Sequence, residues 1–279
     1  MLKRQECEEV LSLMLLLDDS DPETVSYVNR RFAELGEEAV VYLSKAVKAE
    51  YAGSRQCLGR LMEIEDWLTL SELEKRSVSG FPDLPDAMYL VSRIGVNGLD
   101  RRYFMELFVQ IAFRMVMDIN VQRTGVENIE IFNYHFFRNY GVLSAAGGRS
   151  EDKSVWLPEV LEARRAYPVL LSLLYIMLAR NAGLPVYPAL LGNARFAPAY
   201  TDGKGNPLFL MDIMDRGYIH PLASGSNSGV KVLSHDSAIV SMYAENAYVH
   251  FSGRSWYPHK LTILKKVMSL CGTGPVLRP

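Results

Sequence analysis

A long uncharged run in the middle of the chain constrains the fold more than any other feature. The segment from Val160 to Pro185 reads VLEARRAYPVLLSLLYIMLARNAGLP, and eleven consecutive residues from Val169 to Ala179 carry no charge. Pro168 fits the first turn of a helix, where its missing N–H is no loss. Gly183 fits the position after the last turn, and Pro185 prevents continuation. The pattern predicts one helix of about four turns, apolar nearly all round and therefore buried in a sizeable domain.

The start of this helix is a favourable place for a reactive group. The dipole at a helix N-terminus lowers the pKa of a thiol, so nucleophilic cysteines are found there. In this chain the residues at that end are Ala166, Tyr167 and Pro168. None of them is a nucleophile of the usual kind. The segment therefore predicts the architecture of a site without its chemistry.

Helical patterns fill the first half of the chain. Apolar spacing and capping signals predict helices over Glu23–Leu35, Glu37–Tyr51, Ser54–Ile64, Asp86–Ile94, Asp100–Asp118 and Glu127–Tyr140. The segment from Leu35 to Asp66 resembles one unit of a HEAT-type helical repeat. Such a unit must pack on neighbouring elements to bury its apolar face. Residues 79–85 combine one glycine with two prolines and are the best linker candidate. We therefore predict a helical, HEAT-like region over residues 1–79 and a second domain over residues 80–279.

The pattern changes after Pro185. Short β-prone runs predict strands at Val186–Leu191, Phe196–Tyr200 and Leu208–Ile213, with turn residues at 202–206 between the last two. Closing helices are predicted at Ala238–Phe251 and Pro258–Leu270. The predicted fold class is α+β, with the buried helix packed against an antiparallel sheet.

The run from Val160 to Tyr187 resembles the signature of the transglutaminase-like superfamily in its bacterial SirB-type branch. The matching residues are Val160, Leu161, Glu162, Arg164, Arg165, Pro168, Leu171, Ser172, Leu174, Tyr175, Ala179, Gly183, Leu184, Pro185 and Tyr187. The resemblance implies a papain-like core. It also implies a cysteine at the helix start, a histidine on a facing strand and an aspartate on the next strand, which are the nucleophile, base and orienting group of covalent catalysis.

This chain departs from that family triad at two of its three positions. Tyr167 and Pro168 stand near the nucleophile position, and Arg195 stands where the family has histidine, within Asn193-Ala194-Arg195-Phe196. A guanidinium stays protonated at ordinary pH and cannot act as a base. Asp212 is retained. By the resemblance, the vacated cleft would be bordered by Tyr167, Arg195, Asp212, Asn193, Trp156 and Ser154, and Arg195 would pair with Asp212. No residue is assigned a catalytic role.

Composition excludes several functional classes. The net charge of −2 gives no electrostatic reason to expect binding to nucleic acid or to an anionic membrane. The uncharged run is shorter than the ~20 residues that span a bilayer. Three cysteines are too few and too scattered for a disulfide framework, so a cytoplasmic location is expected. The five histidines show no metal-ligand spacing, and no nucleotide-binding fingerprint occurs, so no metal or cofactor is expected.

Two individual side chains have plain structural explanations. Ser172 lies one turn inside the buried helix, and we expect its hydroxyl to bond a preceding carbonyl. Ser154 precedes Val155-Trp156-Leu157 and is more readily a helix cap than a polar group of the cleft.

Three functional hypotheses follow from these features. The first is a non-catalytic transglutaminase-like protein that binds a peptide or protein partner. The second is an active hydrolase or amidotransferase with an unrecognised nucleophile, supported by the retained Asp212. The third is a helical adaptor in which the α/β part is only structural. The missing family cysteine and histidine favour the first.

Overall fold

The computed structural model of this chain describes residues 3–17, 19–50, 55–145, 152–192, 195–222, 229–254 and 257–272. Helices make up most of these residues. The helices are α1 (Arg4–Met14), α2 (Pro22–Leu35), α3 (Glu37–Glu50), α4 (Arg55–Ser77), α5 (Leu84–Gly95), α6 (Arg101–Val116), α7 (Gly125–Asn133), a π-helix (Tyr134–Tyr140), a 3₁₀ helix (Asp152–Val155), α8 (Leu157–Ala163), α9 (Pro168–Asn181), α10 (Asp236–Phe251) and α11 (Pro258–Leu270).

The strands form two sheets. The strands are β1 (Leu143–Ser144), β2 (Arg165–Ala166), β3 (Val186–Leu191), β4 (Arg195–Thr201), β5 (Pro207–Asp212), β6 (Tyr218–Pro221) and β7 (Lys231–Val232). A small sheet joins β1 and β2 in parallel. The larger sheet has the order β6-β5-β4-β3-β7, and every neighbouring pair in it is antiparallel.

The buried helix lies where the sequence predicts it. α9 begins at Pro168, and all residues from Leu170 to Ala179 are buried. Gly183 has a φ of 79°, the left-handed conformation that ends a helix at low cost for glycine. α9 contacts β3 and β4 of the larger sheet. The α+β core, with its helix packed on an antiparallel sheet, is confirmed.

Three local predictions need correction or extension. The predicted helix Ser54–Ile64 continues as α4 to Ser77, and Glu65 and Asp66 near its centre bond to Asn97 and Lys260. The predicted helix over Glu127–Tyr140 changes to a π-helix at Tyr134. β6 was not predicted, since it has four residues and ends in a proline at the sheet edge.

The described buried hydrophobic residues form two main clusters, a smaller core and a larger core. The smaller one contains residues between Val10 and Leu68, and the larger one contains residues between Leu73 and Cys271. α4 contributes to both. Residues 79–85 do not behave as an exposed linker, because Phe81 is 1% exposed and packs into the larger core. The HEAT-like region and its boundary at residue 79 stay predictions.

Candidate functional site

A cleft of about 710 Å³ lies beside the N-terminus of α9. Its volume is within the range of small-ligand pockets, roughly 300–1,000 Å³. Three parts of the fold supply its walls: the first turns of α9, the strands β3 to β6 with the turn after β5, and the C-terminal half of α10. The lining residues are Pro168, Val169, Ser172, Leu191, Phe196, Ala197, Pro198, Leu210, Met211, Asp212, Ile213, Met214, His220, Asn246 and Val249.

On the α9 wall of the cleft, the one hydroxyl group among the lining residues is hydrogen-bonded within the helix. Pro168 occupies the first helical position and has no N–H to offer. The Ser172 hydroxyl donates to the Pro168 carbonyl at 2.9 Å, which confirms the bond expected from the sequence. Tyr167 lies at the margin, and its ring contacts the ring of His250 on α10 with a centroid separation of 5.2 Å. This wall presents a mainly apolar surface.

The sheet wall brings a carboxylate and an imidazole into the same cleft. The register pairs Leu210 with His220 and Asp212 with Tyr218. Because side chains alternate along a strand, Leu210, Asp212 and His220 lie on one face of the sheet. The Asp212 Oδ1 accepts the backbone N–H of Met214 at 2.9 Å. The retained aspartate therefore closes the turn that follows β5.

Asn133, the last residue of α7, holds that turn in place. The Asn133 Nδ2 donates to the Gly217 carbonyl at 2.9 Å, and its Oδ1 accepts from the Tyr175 hydroxyl at 2.7 Å. Gly217 has a φ of +78°, and a Cβ added there would lie 2.3 Å from the Asn133 side chain. Burial raises the pKa of Tyr175, which keeps its phenol protonated as a donor. α7, α9 and the turn after Asp212 are thus joined at one point.

The α10 wall contributes the residues that the sequence analysis missed. Asn246 and Val249 line the cleft. The Nδ2 atom of Asn246 is buried, and it has no hydrogen-bond partner among the described residues. The only sequence signal was a polar residue in an apolar helical run, which is common on helices and singles out no site.

Two of the residues predicted to border the cleft belong to the core behind it. Trp156 is 4% exposed and stacks on Phe251, with ring centroids 5.7 Å apart. It also fills the space beside Gly95, where a Cβ would meet its ring at 2.0 Å. Ser154 is 4% exposed, and its carbonyl accepts the backbone N–H of Tyr167. Ser154 supports the start of α9, Trp156 packs between α5 and α10, and neither residue lines the cleft.

The predicted Arg195–Asp212 pair involves a side chain outside the described part of the chain. Arg195 begins β4, opposite Leu191, and only its backbone is described. Asn193 lies wholly outside the described residues. Continuing the register of Ala199 with Leu210 by two residues sets Asp212 opposite Ala197 rather than Arg195. The pairing stays a prediction.

The cysteines described in full lie away from the cleft. Cys7 belongs to α1, and Cys271 follows α11 in the larger core. Burial raises the pKa of the Cys271 thiol to about 12, so it is not a thiolate near neutral pH. The Cys57 side chain lies outside the described residues. The cleft walls, as the structure describes them, contain no thiol.

Within the same described residues, no group of three or more histidine, cysteine, aspartate or glutamate side chains is placed to hold a metal ion. None of the described helices has the length and apolar character needed to cross a membrane.

Residues 105–223 match the sequence model of the transglutaminase-like superfamily. The match covers α6 to β6, and so includes α9 and the strands that form two walls of the cleft. This part of the chain is a transglutaminase-like domain. The third wall, on α10, lies outside the matched residues. No curated protein and no solved structure matches the chain.

Proposed function

We propose that this chain is a non-catalytic member of the SirB-type branch of the transglutaminase-like superfamily, and that its cleft binds an apolar segment of a peptide or protein partner. The observation that carries the proposal is a cleft beside the N-terminus of α9 whose described walls are mainly apolar and contain no thiol. A cytoplasmic location would suit such a protein, since no disulfide framework is predicted.

The chemistry of the walls favours an apolar ligand group. Pro168, Val169, Leu210 and Val249 are among the lining residues. Burial of one Leu- or Phe-sized side chain in such surroundings contributes about 1.5–3 kcal/mol. That is enough to select apolar over charged peptides, although the total affinity also depends on the ordering that binding requires.

Binding can be tested with a panel of fluorescein-labelled pentapeptides that differ only in the central residue. We expect Leu, Phe and Met to bind more tightly than Ser, Asp and Lys in fluorescence anisotropy. Val249→Trp should block the cleft and weaken binding about tenfold or more. Val109→Trp is the matched control, because both valines are partly exposed on helices, at 40% and 57%, and Val109 lies outside the cleft. Equal affinity in the wild type and Val249→Trp would exclude the cleft as the binding site.

A second candidate function rests on one specific observation. Ser172, Asp212 and His220 all line the cleft, and these are the residue types of a serine hydrolase. In the described side chains, however, Ser172 donates to a backbone carbonyl and Asp212 accepts backbone N–H groups. Labelling by a fluorophosphonate probe that is lost in Ser172→Ala would favour this hydrolase over the binding protein.

A further inference from the structure

One face of α6 is exposed to solvent along the length of the helix. Residues that are three, four, seven or eight positions apart lie on the same side of a helix. Counted from Gln110 in both directions, these positions run from Arg102 to Asp118, and we call this surface the α6 face. All of its side chains are exposed except that of Leu107, which is partly buried. The opposite side of the helix, which includes Phe108, packs into the larger core.

The apolar side chains of the α6 face are grouped toward its C-terminal end. Phe113 and Met117 are 67% and 68% exposed. The backbone of Met117 keeps the right-handed helical conformation, so the geometry of the face continues to that residue. Aromatic residues, Met and Arg are enriched in protein–protein interfaces, and contiguous exposed apolar groups mark such surfaces.

Two side chains of the α6 face have described contacts elsewhere, and each contact uses a single polar atom. The Tyr103 hydroxyl donates to Glu162 at 2.7 Å. The Asp118 Oδ2 lies 2.8 Å from the His135 Nε2. Both side chains are nevertheless well exposed, so the Tyr103 ring and the second Asp118 oxygen are accessible to another molecule.

The charges of the α6 face are arranged with opposite signs on the two sides of Gln110. Glu106 stands four residues before Gln110, and Arg114 stands four residues after it. Arg102 stands eight residues before it, and Asp118 stands eight residues after it. No ion-pair partner is described for Arg102, Glu106 or Arg114 in the part of the chain that the structure covers. The face therefore carries unpaired charges in an order that is complementary to itself.

We propose that the α6 face is a homodimer interface, in which α6 of a second copy of this chain packs antiparallel about a two-fold axis at Gln110. In such a pair, each position before Gln110 lies opposite the equally distant position after it in the other copy. Glu106 of one copy then faces Arg114 of the other, and Arg102 faces Asp118. A parallel pair would set each charge opposite its own copy, which is repulsive.

The same axis matches the remaining groups of the face. Tyr103 lies opposite Met117 of the second copy, and Leu107 lies opposite Phe113. The two Gln110 amides meet at the axis, where each can donate to the other's side-chain oxygen. Charge and apolar groups thus agree on one register, which favours a second copy over an unrelated apolar partner. The inference is independent of the proposed peptide binding, because the described cleft lining includes no residue of α6.

Sedimentation velocity of the full chain at several concentrations tests the interface. We expect a monomer–dimer equilibrium in the wild type. Phe113→Asp should raise the dimer dissociation constant about tenfold or more, because it places a charge in the apolar contact. Leu15→Asp is the matched control, since Leu15 is 70% exposed and lies outside the α6 face. Circular dichroism should show the same helix content in all three proteins.

Charge reversal tests the antiparallel register. Glu106→Arg and Arg114→Glu should each weaken the dimer about tenfold, because like charges then face each other at two symmetric contacts. An equimolar mixture of the two variants should restore association, since both contacts of the mixed dimer join opposite charges. The double variant should restore it for the same reason.

Three results would overturn the proposal. A wild-type chain that stays monomeric up to about 100 μM would exclude the dimer and leave the face to a different partner. Wild-type association in Phe113→Asp and in both charge variants would place the contact on another surface. A mixture that associates no better than either charge variant alone would exclude the antiparallel arrangement about Gln110.

Discussion

The cleft and the contact between α4 and α11 differ in how their polar side chains are surrounded. At that contact, a group that we call the seam cluster comprises Glu65, Asp66, Asn97, His259 and Lys260. The Lys260 ammonium donates to Asp66 at 3.1 Å, to Asn97 at 3.1 Å and to the Ile94 carbonyl. The His259 Nε2 lies 2.9 Å from the other Asp66 oxygen. In the cleft, by contrast, the polar side chains of Asp212 and His220 line open space.

The polar groups of the seam cluster bond mainly to one another. Asp66 and Lys260 are each 1% exposed, and their mutual attraction compensates for lost hydration only while both are present. The seam cluster therefore serves the fold, although the Oε1 atom of Glu65 is buried there without a hydrogen-bond partner among the described residues. In the cleft, Ser172, Asp212 and His220 line open space. Five predictions test this contrast, from the largest expected effect to the smallest.

Lys260→Met should cause the largest loss of stability. It leaves the Asp66 carboxylate buried without its ammonium partner, which typically costs about 3–5 kcal/mol of unfolding free energy. Urea denaturation of the wild type and the variant measures the loss. Lys266→Met is the control, because Lys266 is exposed and should change stability by less than about 0.5 kcal/mol. If both variants unfold alike, the seam cluster is not structural, and the contrast with the cleft disappears.

Gly217→Ala should disturb the turn that carries Asp212. The added Cβ would clash with Asn133, and the φ of +78° is strained for alanine, so a loss of about 2–4 kcal/mol is expected. Gly205→Ala shares the left-handed conformation, with a φ of +82°, but its Cβ meets nothing within 4 Å. Its expected cost is about 1 kcal/mol. Peptide binding should weaken only in Gly217→Ala; an equal effect of both variants would show that Asn133 does not hold the turn.

Asp212→Ala should cost about 1–2 kcal/mol, because the N–H groups of Met214 and Asp215 lose their acceptor. Asp212→Asn retains an acceptor oxygen and should be close to the wild type in chemical denaturation. A similar loss in both variants would mean that the negative charge matters. A double-mutant cycle of Arg195→Ala with Asp212→Ala would then measure the predicted ion pair, and a coupling below about 0.5 kcal/mol would rule it out.

The pH dependence of stability should reveal the buried carboxyl groups of the seam cluster. Burial raises the pKa values of Glu65 and Asp66, so the folded state holds these protons more tightly than the unfolded state does. The unfolding free energy should therefore fall as pH rises above the ordinary carboxyl range. Burial lowers the pKa of Lys260, which gives the opposite slope at higher pH.

Glu65→Gln should reduce the first of these slopes, because its amide does not titrate. Urea titrations between about pH 4.5 and 8 measure the difference between the two proteins. Lys260 and His259 are common to both, so their own titrations largely cancel in the comparison. Glu63→Gln serves as the control, since the Glu63 side chain is 54% exposed. An unchanged slope in Glu65→Gln would show that Glu65 titrates normally.

Iodoacetamide should have the smallest effect on either region. The described lining of the cleft contains no thiol, and burial keeps the Cys271 thiol protonated near neutral pH. We expect no amidase or esterase activity that the reagent removes, and unchanged peptide affinity after treatment. Stoichiometric inactivation mapped by mass spectrometry to Cys7, Cys57 or Cys271 would reverse the non-catalytic proposal.

The sequence by itself determined the elements whose signals are local. Pro168 and Gly183 set the limits of α9. The proline ring at the start and the left-handed backbone of glycine at the end both act within one turn of the chain. The strands β3 and β5 and the helix α11 followed in the same way from short periodic runs. The resemblance carried by α9 also led to the superfamily whose sequence model matches residues 105–223.

Only the tertiary structure decided which side chains meet. Lys260 reaches Asp66 across 194 residues of chain, and Asn133 reaches Gly217 across 84. No local pattern encodes such pairs, because they depend on how the packed elements close long loops. Packing likewise placed Trp156 in the core and Asn246 in the cleft wall. Burial and pairing are properties of the assembled fold, and they separate the side chains that support this protein from those free to bind.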